Sequence, residues 1–441
     1  MPTRALIAVL AAAVCLSPAH ADDWPQWRGP NRDGQSAETG LLKSWPQKGP
    51  KLLWTAEGLG TGWSSPAVVK GLLFVTGVHG KAEFLYAYDL DGQLQWKEEV
   101  GPAWTRSHPG SRYTPTVNDN DVYVLTSSGL LACYEAKTGG KWWAVDVAER
   151  FKAAQPLWGF AEGLLVDGDR ILCTPGGKDA SLVALDKKSG QTVWTTKGLG
   201  DASAYCSPIL AAQGDTRIVV TITAQNVVGV NAATGACLWR HPFRNMYGDH
   251  CVTPIYQDGR IYAAAGYGHG GMLLRPAADG KSVTPQWTDK RLDCLHGGVV
   301  LVNGHLYGSG DRNPNWVCLD WNTGQVRYEA RGPGRGCVTY ADGMLYCYSE
   351  DGVVALVPAS PERFEVVSAF RVTKGSGEHW AHPVISDGRL YIRHGDALMA
   401  YDIKQREQGT GNREPGSSEP AKGEPAKTRG EDATNGPGGR K

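Results

Sequence analysis

The residue types that most often carry out chemistry in proteins lack a catalytic or metal-binding spacing in this chain. His379 and His382 stand three positions apart, and in an extended strand such positions point to opposite faces. No cysteine cluster accompanies them, no G-x-S-x-G element occurs, and no pair of carboxylates has an acid–base context. The pattern therefore predicts no catalytic residue and no metal ligand set, and it favours a binding protein over an enzyme.

A different set of residues has the character of a ligand site. Four aromatic residues, two arginines, a histidine and a cysteine occupy one equivalent position in eight successive segments of the chain. Flat rings and guanidinium groups suit an anionic planar ligand, a carboxylate, or a peptide rich in such groups. The alternative is that these side chains fill a channel and hydrogen-bond to neighbouring backbone. The eight residues are Trp63, Arg112, Phe160, Tyr205, Cys251, His296, Arg335 and Trp380.

The elements that must position these residues follow from a repeat of about 45 residues. A polar residue, a turn glycine and a large aromatic recur in order, as in Asp186, Gly190 and Trp194. Asp-Gly or Asn-Gly turns between alternating apolar runs mark a hairpin within most units. Each unit has room for four short strands, which is the size of one propeller blade. The aromatic residues are Trp54, Trp96, Trp143, Trp194, Trp239, Trp287 and Tyr328.

The predicted fold is all-β, an eight-bladed β-propeller of four-stranded antiparallel blades. Eight units span the chain from about residue 60 to residue 403, and the last unit lacks its turn and tryptophan. Residues 51–56 supply an unassigned strand with Trp54 at the other end of the chain. We expect this N-terminal strand to become the outer strand of the last blade, because that closure removes an open sheet edge.

The recurring tryptophans have a structural explanation. A blade cannot bury its faces alone, so one large aromatic at the end of each outer strand can wedge between neighbours. We expect the turn of the same unit to orient it, so that Ser189 and Gly190 position Trp194. The motif is therefore predicted to pack blades and to carry no chemistry.

The ends of the chain differ in composition from the repeats. Residues 1–21 have a basic start, an apolar run and an Ala-His-Ala cleavage site, which is typical of a signal peptide. Residues 22–50 form an N-terminal extension before the propeller at 51–403, and residues 404–441 read as a disordered polar tail. The chain is thus expected to be exported, to the periplasm or the extracellular space, and no later segment is apolar enough for a membrane helix.

Charge and cysteine content narrow the class further. The chain has 45 basic and 45 acidic residues, which argues against nucleic acid as a partner. Nine cysteines follow the predicted signal peptide, and most lie in strand-like runs. A chain of this size can bury a core without disulfides, so we expect small buried thiols. We also expect a monomer.

The A-x-D-x-x-T-G-x-x-x-W pattern resembles the tryptophan-docking repeat of the pyrrolo-quinoline quinone (PQQ)-like β-propeller family. Residues 184–194 match it closely, and the stretch 24–34 is similar to the N-terminal segment of exported bacterial members. That superfamily includes quinoprotein alcohol and sugar dehydrogenases, which hold PQQ with Ca²⁺, and non-enzymatic scaffolds similar to BamB. The resemblance implies the fold, and it leaves both functions open.

Departures from the dehydrogenase pattern favour the scaffold. Those enzymes resemble one another in a pair of adjacent cysteines that covers the cofactor, and this sequence has no such pair. No Glu, Asn and Asp set suggests calcium ligands. We therefore expect no cofactor and a binding or scaffold module for protein or carbohydrate partners in the cell envelope. A reduced PQQ-dependent alcohol or sugar dehydrogenase with Ca²⁺ is the alternative.

Overall fold

The computed structural model describes residues 23–214 and 216–406, and nearly all of its regular structure is β-strand. Each blade is an antiparallel sheet whose strands follow one another from the channel axis outwards. The first four blades consist of Ala67–Val69, Leu72–His79, Ala82–Asp89 and Leu94–Pro102; Thr116–Asn118, Asp121–Leu125, Leu130–Glu135 and Lys141–Asp146; Leu165–Asp167, Arg170–Cys173, Val183–Asp186 and Thr192–Thr195; and Ile209–Gln213, Thr216–Ile222, Asn226–Asn231 and Cys237–Pro242.

Four further blades complete the ring and confirm the predicted eight-bladed propeller. They consist of Ile255–Gln257, Arg260–Ala265, Gly270–Pro276 and Val283–Asp289; Val300–Val302, His305–Ser309, Trp316–Asp320 and Val326–Ala330; Gly336–Ala341, Met344–Ser349, Val353–Pro358 and Ser368–Arg371; and Val384–Ser386, Arg389–His394, Ala397–Asp402 and Lys51–Ala56. A one-turn helix, Val147–Arg150, follows the second blade. Alternating apolar side chains of the middle strands fill the core between neighbouring blades.

The last blade is closed by the N-terminal strand, as predicted. Lys51–Ala56 pairs antiparallel with Ala397–Asp402, and Lys51 lies opposite Asp402. The two strands pair in the register of a hairpin, although no turn connects them because they come from opposite ends of the propeller sequence. The ring is therefore held shut by backbone hydrogen bonds between two segments that are distant in sequence.

The repeated tryptophans join each blade to the next through a polar and an apolar contact. Five of them donate the indole N–H to a backbone carbonyl in the turn region of the following blade, at 2.7 to 3.1 Å: Trp54 to Leu90, Trp96 to Ala136, Trp143 to Lys187, Trp194 to Ala232 and Trp287 to Trp321. These contacts place the five side chains at the junctions between neighbouring blades.

The turn glycine has a different role from the predicted one. A Cβ atom on Gly190 would lie 2.7 Å from the ring of Trp143, which belongs to the preceding blade. Trp194 in turn covers Gly235 of the following blade. Gly190 is therefore the platform on which the tryptophan of the preceding blade rests, a role that the sequence prediction did not give it. The Asp186 carboxylate organises this turn by accepting from the backbone N–H and hydroxyl of Ser189, at 2.8 and 2.7 Å.

Two of the predicted docking aromatics depart from this arrangement. Trp239 packs over Gly229 of its own blade, because the next blade has a degenerate turn. Tyr328 lies 6.2 Å from the ring of Phe364, which stacks on Trp316 at 5.6 Å. Phe364 belongs to the connection between two strands of the seventh blade, so an aromatic from that connection replaces the missing turn glycine.

Substitution of Gly190 by alanine is expected to destabilise the fold by about 2–4 kcal/mol, because a left-handed backbone cost adds to a collision with Trp143. Gly168 is the matched control in the same blade: its φ is +61° against +67° for Gly190, but no atom lies within 4 Å of its would-be Cβ. Gly168→Ala should therefore cost only the backbone part, about 1 kcal/mol. Equal losses in denaturant unfolding would show that the tryptophan platform contributes nothing.

The N-terminal extension crosses the mouth of the axial channel. Trp24 exchanges backbone hydrogen bonds with Val68 of the first blade, and the Pro25 carbonyl accepts from Val117 of the second. Residues Gln35–Ser36 then pair in parallel with Tyr340 and Ala341, on the axial side of the seventh blade. The extension thus spans the ring and adds a fifth strand to one sheet.

Two buried arginines fix the extension to the ring between those points. Arg28 donates to the Val299 carbonyl at 2.6 Å, and Arg32 donates to the carbonyls of Leu164 and Gly163 at 2.8 and 2.7 Å. Trp27, which directly precedes Arg28, donates its indole N–H to Thr253 at 2.8 Å. The sequence prediction described residues 22–50 only as an N-terminal extension. Residues 24–36 of this extension fill the channel axis, and we call them the axial plug.

Of the predictions about the chain ends and the cysteines, only some concern residues that the structure describes. The predicted signal peptide and almost all of the predicted tail lie outside the described residues. Within residues 23–214 and 216–406, all nine cysteines are free thiols and seven are buried. In the same part of the chain, no helix has the length and hydropathy needed to cross a membrane.

Candidate functional site

A cavity of about 400 Å³ lies on the channel axis, where the loops leading into the inner strands converge. It contains seven of the eight residues that the repeat alignment selected: Trp63, Arg112, Tyr205, Cys251, His296, Arg335 and Trp380. The lining is completed by Trp27, His108, Trp158, Ala161, Ser207, Asp249, Tyr267, Leu295 and Asp311. Trp27 brings the axial plug into the wall of the cavity, so the extension and the repeats build the site together.

Phe160 is the predicted mouth residue that the structure places elsewhere. Its side chain is 1% exposed and packs in the core between the second and third blades. The alignment set it level with the others, but the neighbouring Trp158 and Ala161 line the cavity instead. His379 stacks on His394 with 3.7 Å between ring centroids, away from the lining residues.

Aromatic rings form two walls of the cavity. On one wall Trp63 and Trp380 lie 5.2 Å apart, and His296 is 4.9 Å from Trp380. On the other wall Trp158 and Tyr205 are 5.8 Å apart. Such walls bind apolar stems, sugar faces and organic cations through their π faces.

Two carboxylates neutralise Arg335. Its guanidinium forms an ion pair with Asp311, and its Nε donates to Glu350 at 3.0 Å. Burial raises the pKa of Glu350, but the charge of His296, 3.8 Å away, and the charge and hydrogen bond of Arg335 outweigh it and lower the pKa. The charge of Arg335 is therefore compensated within the protein by these two carboxylates.

Arg112 is held by backbone carbonyls. Its guanidinium donates to the carbonyls of Trp158 and His108 and lies over the ring of Trp63, 5.3 Å from the ring centroid. Burial lowers the pKa of Arg112 to about 10, so the group stays charged at neutral pH. The arginine therefore ties three loops of the cavity rim together.

Asp249 is a buried carboxylate with neutral hydrogen-bond donors. The Cys251 thiol and the Tyr267 hydroxyl donate to its two oxygens, each at 3.1 Å. Burial raises the pKa of Asp249. Among the described residues, no cationic side chain forms an ion pair with Asp249.

These contacts correct the expected charge of the mouth. The sequence prediction was a cationic site for an anionic ligand, based on Arg112 and Arg335. Asp249 and Asp311 join them in the lining, and Glu350 holds Arg335 from behind. The folded site is therefore not cationic.

Three bulky residues that line the cavity have a strained backbone. His108, Tyr205 and Tyr267 line it and have φ angles of 49°, 71° and 61°. Bulky residues seldom adopt the left-handed region, which costs about 1 kcal/mol or more per residue and is found disproportionately at functional sites. Their rings are thus held at the cavity by loops that carry this strain.

Several lining residues escaped the repeat alignment for identifiable reasons. Tyr267 and Asp311 lie on loops between the second and third strands of their blades, and these loops show no repeated spacing. Trp27 belongs to the plug, outside the repeats altogether. Asp249 lies two positions before Cys251, near the level of the channel mouth, but a single acidic residue in a loop does not by itself indicate a ligand site.

A buried carboxyl group lies close enough to Arg112 to feel its charge. Glu83 is fully buried, and burial raises its pKa to about 8, partly offset by the nearby Tyr113 hydroxyl and by the charge of Arg112. An unfolded glutamate titrates near pH 4.3. The folded chain therefore binds the proton more tightly, and the stability that this provides is lost as pH rises from about 4.5 to about 8.

We expect the Glu83→Gln variant to lose less stability than the wild type as the pH rises. The amide keeps the volume and removes the charge, so the variant should melt several degrees above the wild type at pH 9 and close to it at pH 5. Thermal melts across this range test the expectation, with the exposed Glu99→Gln as control. A variant whose melting temperature tracks the wild type at every pH would contradict a buried protonated Glu83.

The cavity residues do not fit the calcium that a PQQ-dependent dehydrogenase would need. Within residues 23–214 and 216–406, no three His, Cys, Asp or Glu side chains group as ligands for a metal ion. Asp249 and Asp311 already accept hydrogen bonds from Tyr267 and Arg335. Flat rings could stack on a planar group, but the oxygen ligands for a hard cation are not assembled.

Comparison with known proteins places this architecture among characterised families. The family described as "Outer membrane protein assembly factor BamB" matches residues 81–326, more than half of the chain. BamB of Kangiella koreensis is 28% identical over 225 residues, covering 49% of this chain and 52% of that protein. The quinoprotein ethanol dehydrogenase of Pseudomonas aeruginosa is 29% identical over 164 residues, covering 33% and 26%.

A solved structure gives the same fold at lower identity. BamB from Moraxella catarrhalis superposes with a TM-score of 0.57 at 17% identity, and covers 81% of this chain and 98% of that one. At that identity the likeness shows the fold. In sequence, the chain spans about half of the Kangiella protein and about a quarter of the dehydrogenase.

Proposed function

Because the chain belongs to the PQQ-like β-propeller family described as outer membrane protein assembly factor BamB, we propose that it is an exported binding module that holds a protein partner in the cell envelope. The partner is bound at the axial cavity and its rim. Export rests on the signal-like residues 1–21 and is checked by whether the mature protein begins at Asp22.

Exposed apolar residues next to the cavity carry this proposal. Leu157, Met246 and Tyr247 are 65%, 63% and 56% exposed. Leu157 adjoins Trp158 in the chain, and the Tyr247 ring lies 6.1 Å from Trp158 and 4.9 Å from Tyr267, both of which line the cavity. We call these three residues the apolar rim. Tryptophan, tyrosine, methionine and arginine are enriched where proteins bind one another.

Site-specific photo-crosslinking in the native envelope tests the proposal. A photoreactive phenylalanine at Tyr247 should give a discrete protein adduct, and the same group at Trp142 should not. Trp142 is 61% exposed on an outer strand, so it is a control for accessibility. Adding Trp63→Ala and Trp380→Ala should remove the Tyr247 adduct. Equal adducts at both positions, or none at Tyr247, would count against the proposal.

The dehydrogenase alternative is favoured by sequence similarity to a quinoprotein and disfavoured by the donor set of the cavity. Incubation with PQQ and Ca²⁺, followed by assays of alcohols and sugars with an artificial electron acceptor, separates the two functions. Cofactor uptake with turnover would support the enzyme. A carbohydrate ligand is a further outcome, detectable by titrating glycans against the intrinsic tryptophan fluorescence.

A further inference from the structure

With the histidines left aside, the charged groups around the cavity sum to a negative value. Arg112 and Arg335 supply two positive charges, while Asp249, Asp311 and Glu350 supply three negative ones, so the balance is minus one with the lining histidines neutral and zero with His296 protonated. The excess charge has a defined position, because Arg335 contacts both Asp311 and Glu350. Asp249 has no such cationic partner among the described residues.

Asp249 is also a buried carboxyl group whose hydrogen-bond donors carry no positive charge. It is 4% exposed, and its donors are a thiol and a phenol hydroxyl, both neutral. A buried carboxylate is costly to leave without a counter-charge. A carboxylate has about four acceptor positions, and these two bonds use about half of them. A ligand ammonium or guanidinium group would supply both the charge and further hydrogen bonds.

The cavity walls match the rest of such a ligand. The pair Trp63 and Trp380 and the pair Trp158 and Tyr205 present rings on two sides of the cavity. Aromatic faces attract cations, and they also pack against the methylene stem of a basic side chain. Arg112 lies over Trp63, so this wall already has one cation stacked on it.

From this charge and shape we infer that the cavity binds a basic side chain, a lysine ammonium or an arginine guanidinium, projected by the protein partner. Asp249 is its counter-ion, and apolar residues beside it in the partner pack on Leu157, Met246 and Tyr247. The inference rests on the proposed function, since it specifies which chemistry the partner presents at that site. It reverses the expectation from the sequence, which was an anionic ligand.

Short capped peptides test the inference on the wild-type protein. One peptide carries lysine between two leucines, and its matched forms replace that lysine by norleucine, acetyl-lysine or glutamate. Tryptophan fluorescence and calorimetry should show binding of the lysine form about tenfold or more tighter than each neutral or acidic form. Asp249→Asn should lower the affinity for the lysine form by a similar factor, and the exposed Asp91→Asn should not.

Each result has a defined meaning. Absence of binding by the lysine form at millimolar concentration, or equal binding of all four forms, overturns the inference. Loss of selectivity leaves the proposed function standing if Tyr247 still crosslinks a partner, whereas loss of the crosslink removes the proposed function itself. Free butylammonium binding as tightly as the peptide would assign the site to a small amine and overturn the role of the partner. The peptide comparison on the wild type stays decisive even if Asp249→Asn unfolds.

Discussion

Removal of residues 23–56 is expected to lower the melting temperature by about 10 °C or more, the largest effect that we expect from any change to this chain. The truncation exposes the edge of Ala397–Asp402, which is paired with Lys51–Ala56 in the closed ring. It also removes Trp54 from its platform on Gly92 and takes the plug out of the axis. The last blade is then reduced to three strands, and the core between the last and first blades loses Trp54 and Ala56. Differential scanning calorimetry gives the transition, and an unchanged melting temperature would rule out this closure.

A circular permutant separates closure from the plug. The register of Lys51 with Asp402 and Leu52 with Tyr401 is that of an outer hairpin, like Leu185 with Thr192 in the third blade. A chain of residues 57–402, the five-residue turn 187–191 and residues 52–56 should therefore rebuild the last blade. We expect it to recover much of the lost melting temperature, and the remaining deficit measures the plug.

Arg28→Met is expected to lower the melting temperature by about 5–10 °C, because it leaves buried carbonyls without a donor. Arg28 donates to the carbonyls of Val299 and Asp33, at 2.6 and 3.0 Å, and burial lowers the pKa of its guanidinium. Gly298 and Gly34 leave the space that it fills, since a Cβ on either would collide with the guanidinium. The side chain is thus enclosed on several sides, and methionine cannot replace its hydrogen bonds.

The exposed Arg331 supplies the control, because Arg331→Met removes one positive charge with no buried contact. A further readout reports on the cavity. Trp27 directly precedes Arg28 and lines the site, so Arg28→Met should also change the tryptophan emission and weaken ligand binding. If both Arg28→Met and Arg331→Met have the melting temperature of the wild type, the plug does not stabilise the ring.

The sequence by itself determined the number of blades, their order and the strand that closes the ring. Local patterns that repeat about every 45 residues predict these features. The patterns are a two-residue turn between alternating apolar runs and a glycine followed by a tryptophan. The repeat also placed seven residues of the cavity, since equivalent positions of a ring must converge on its axis. It could not place Phe160, because a shift of one residue in a loop exchanges an axial side chain for a core one.

Only the tertiary structure decided which blade each tryptophan serves and what charge the cavity has. Gly190 and Trp194 stand four residues apart, yet they belong to two different junctions, because the outer strand carries the tryptophan onwards to the next blade. The plug depends on Arg28 and Arg32 meeting carbonyls more than one hundred residues away. The arginines are neutralised because Asp311 and Glu350 lie on loops between second and third strands, which have no repeated spacing, and pairing between loops across the axis is a long-range property that no local pattern encodes.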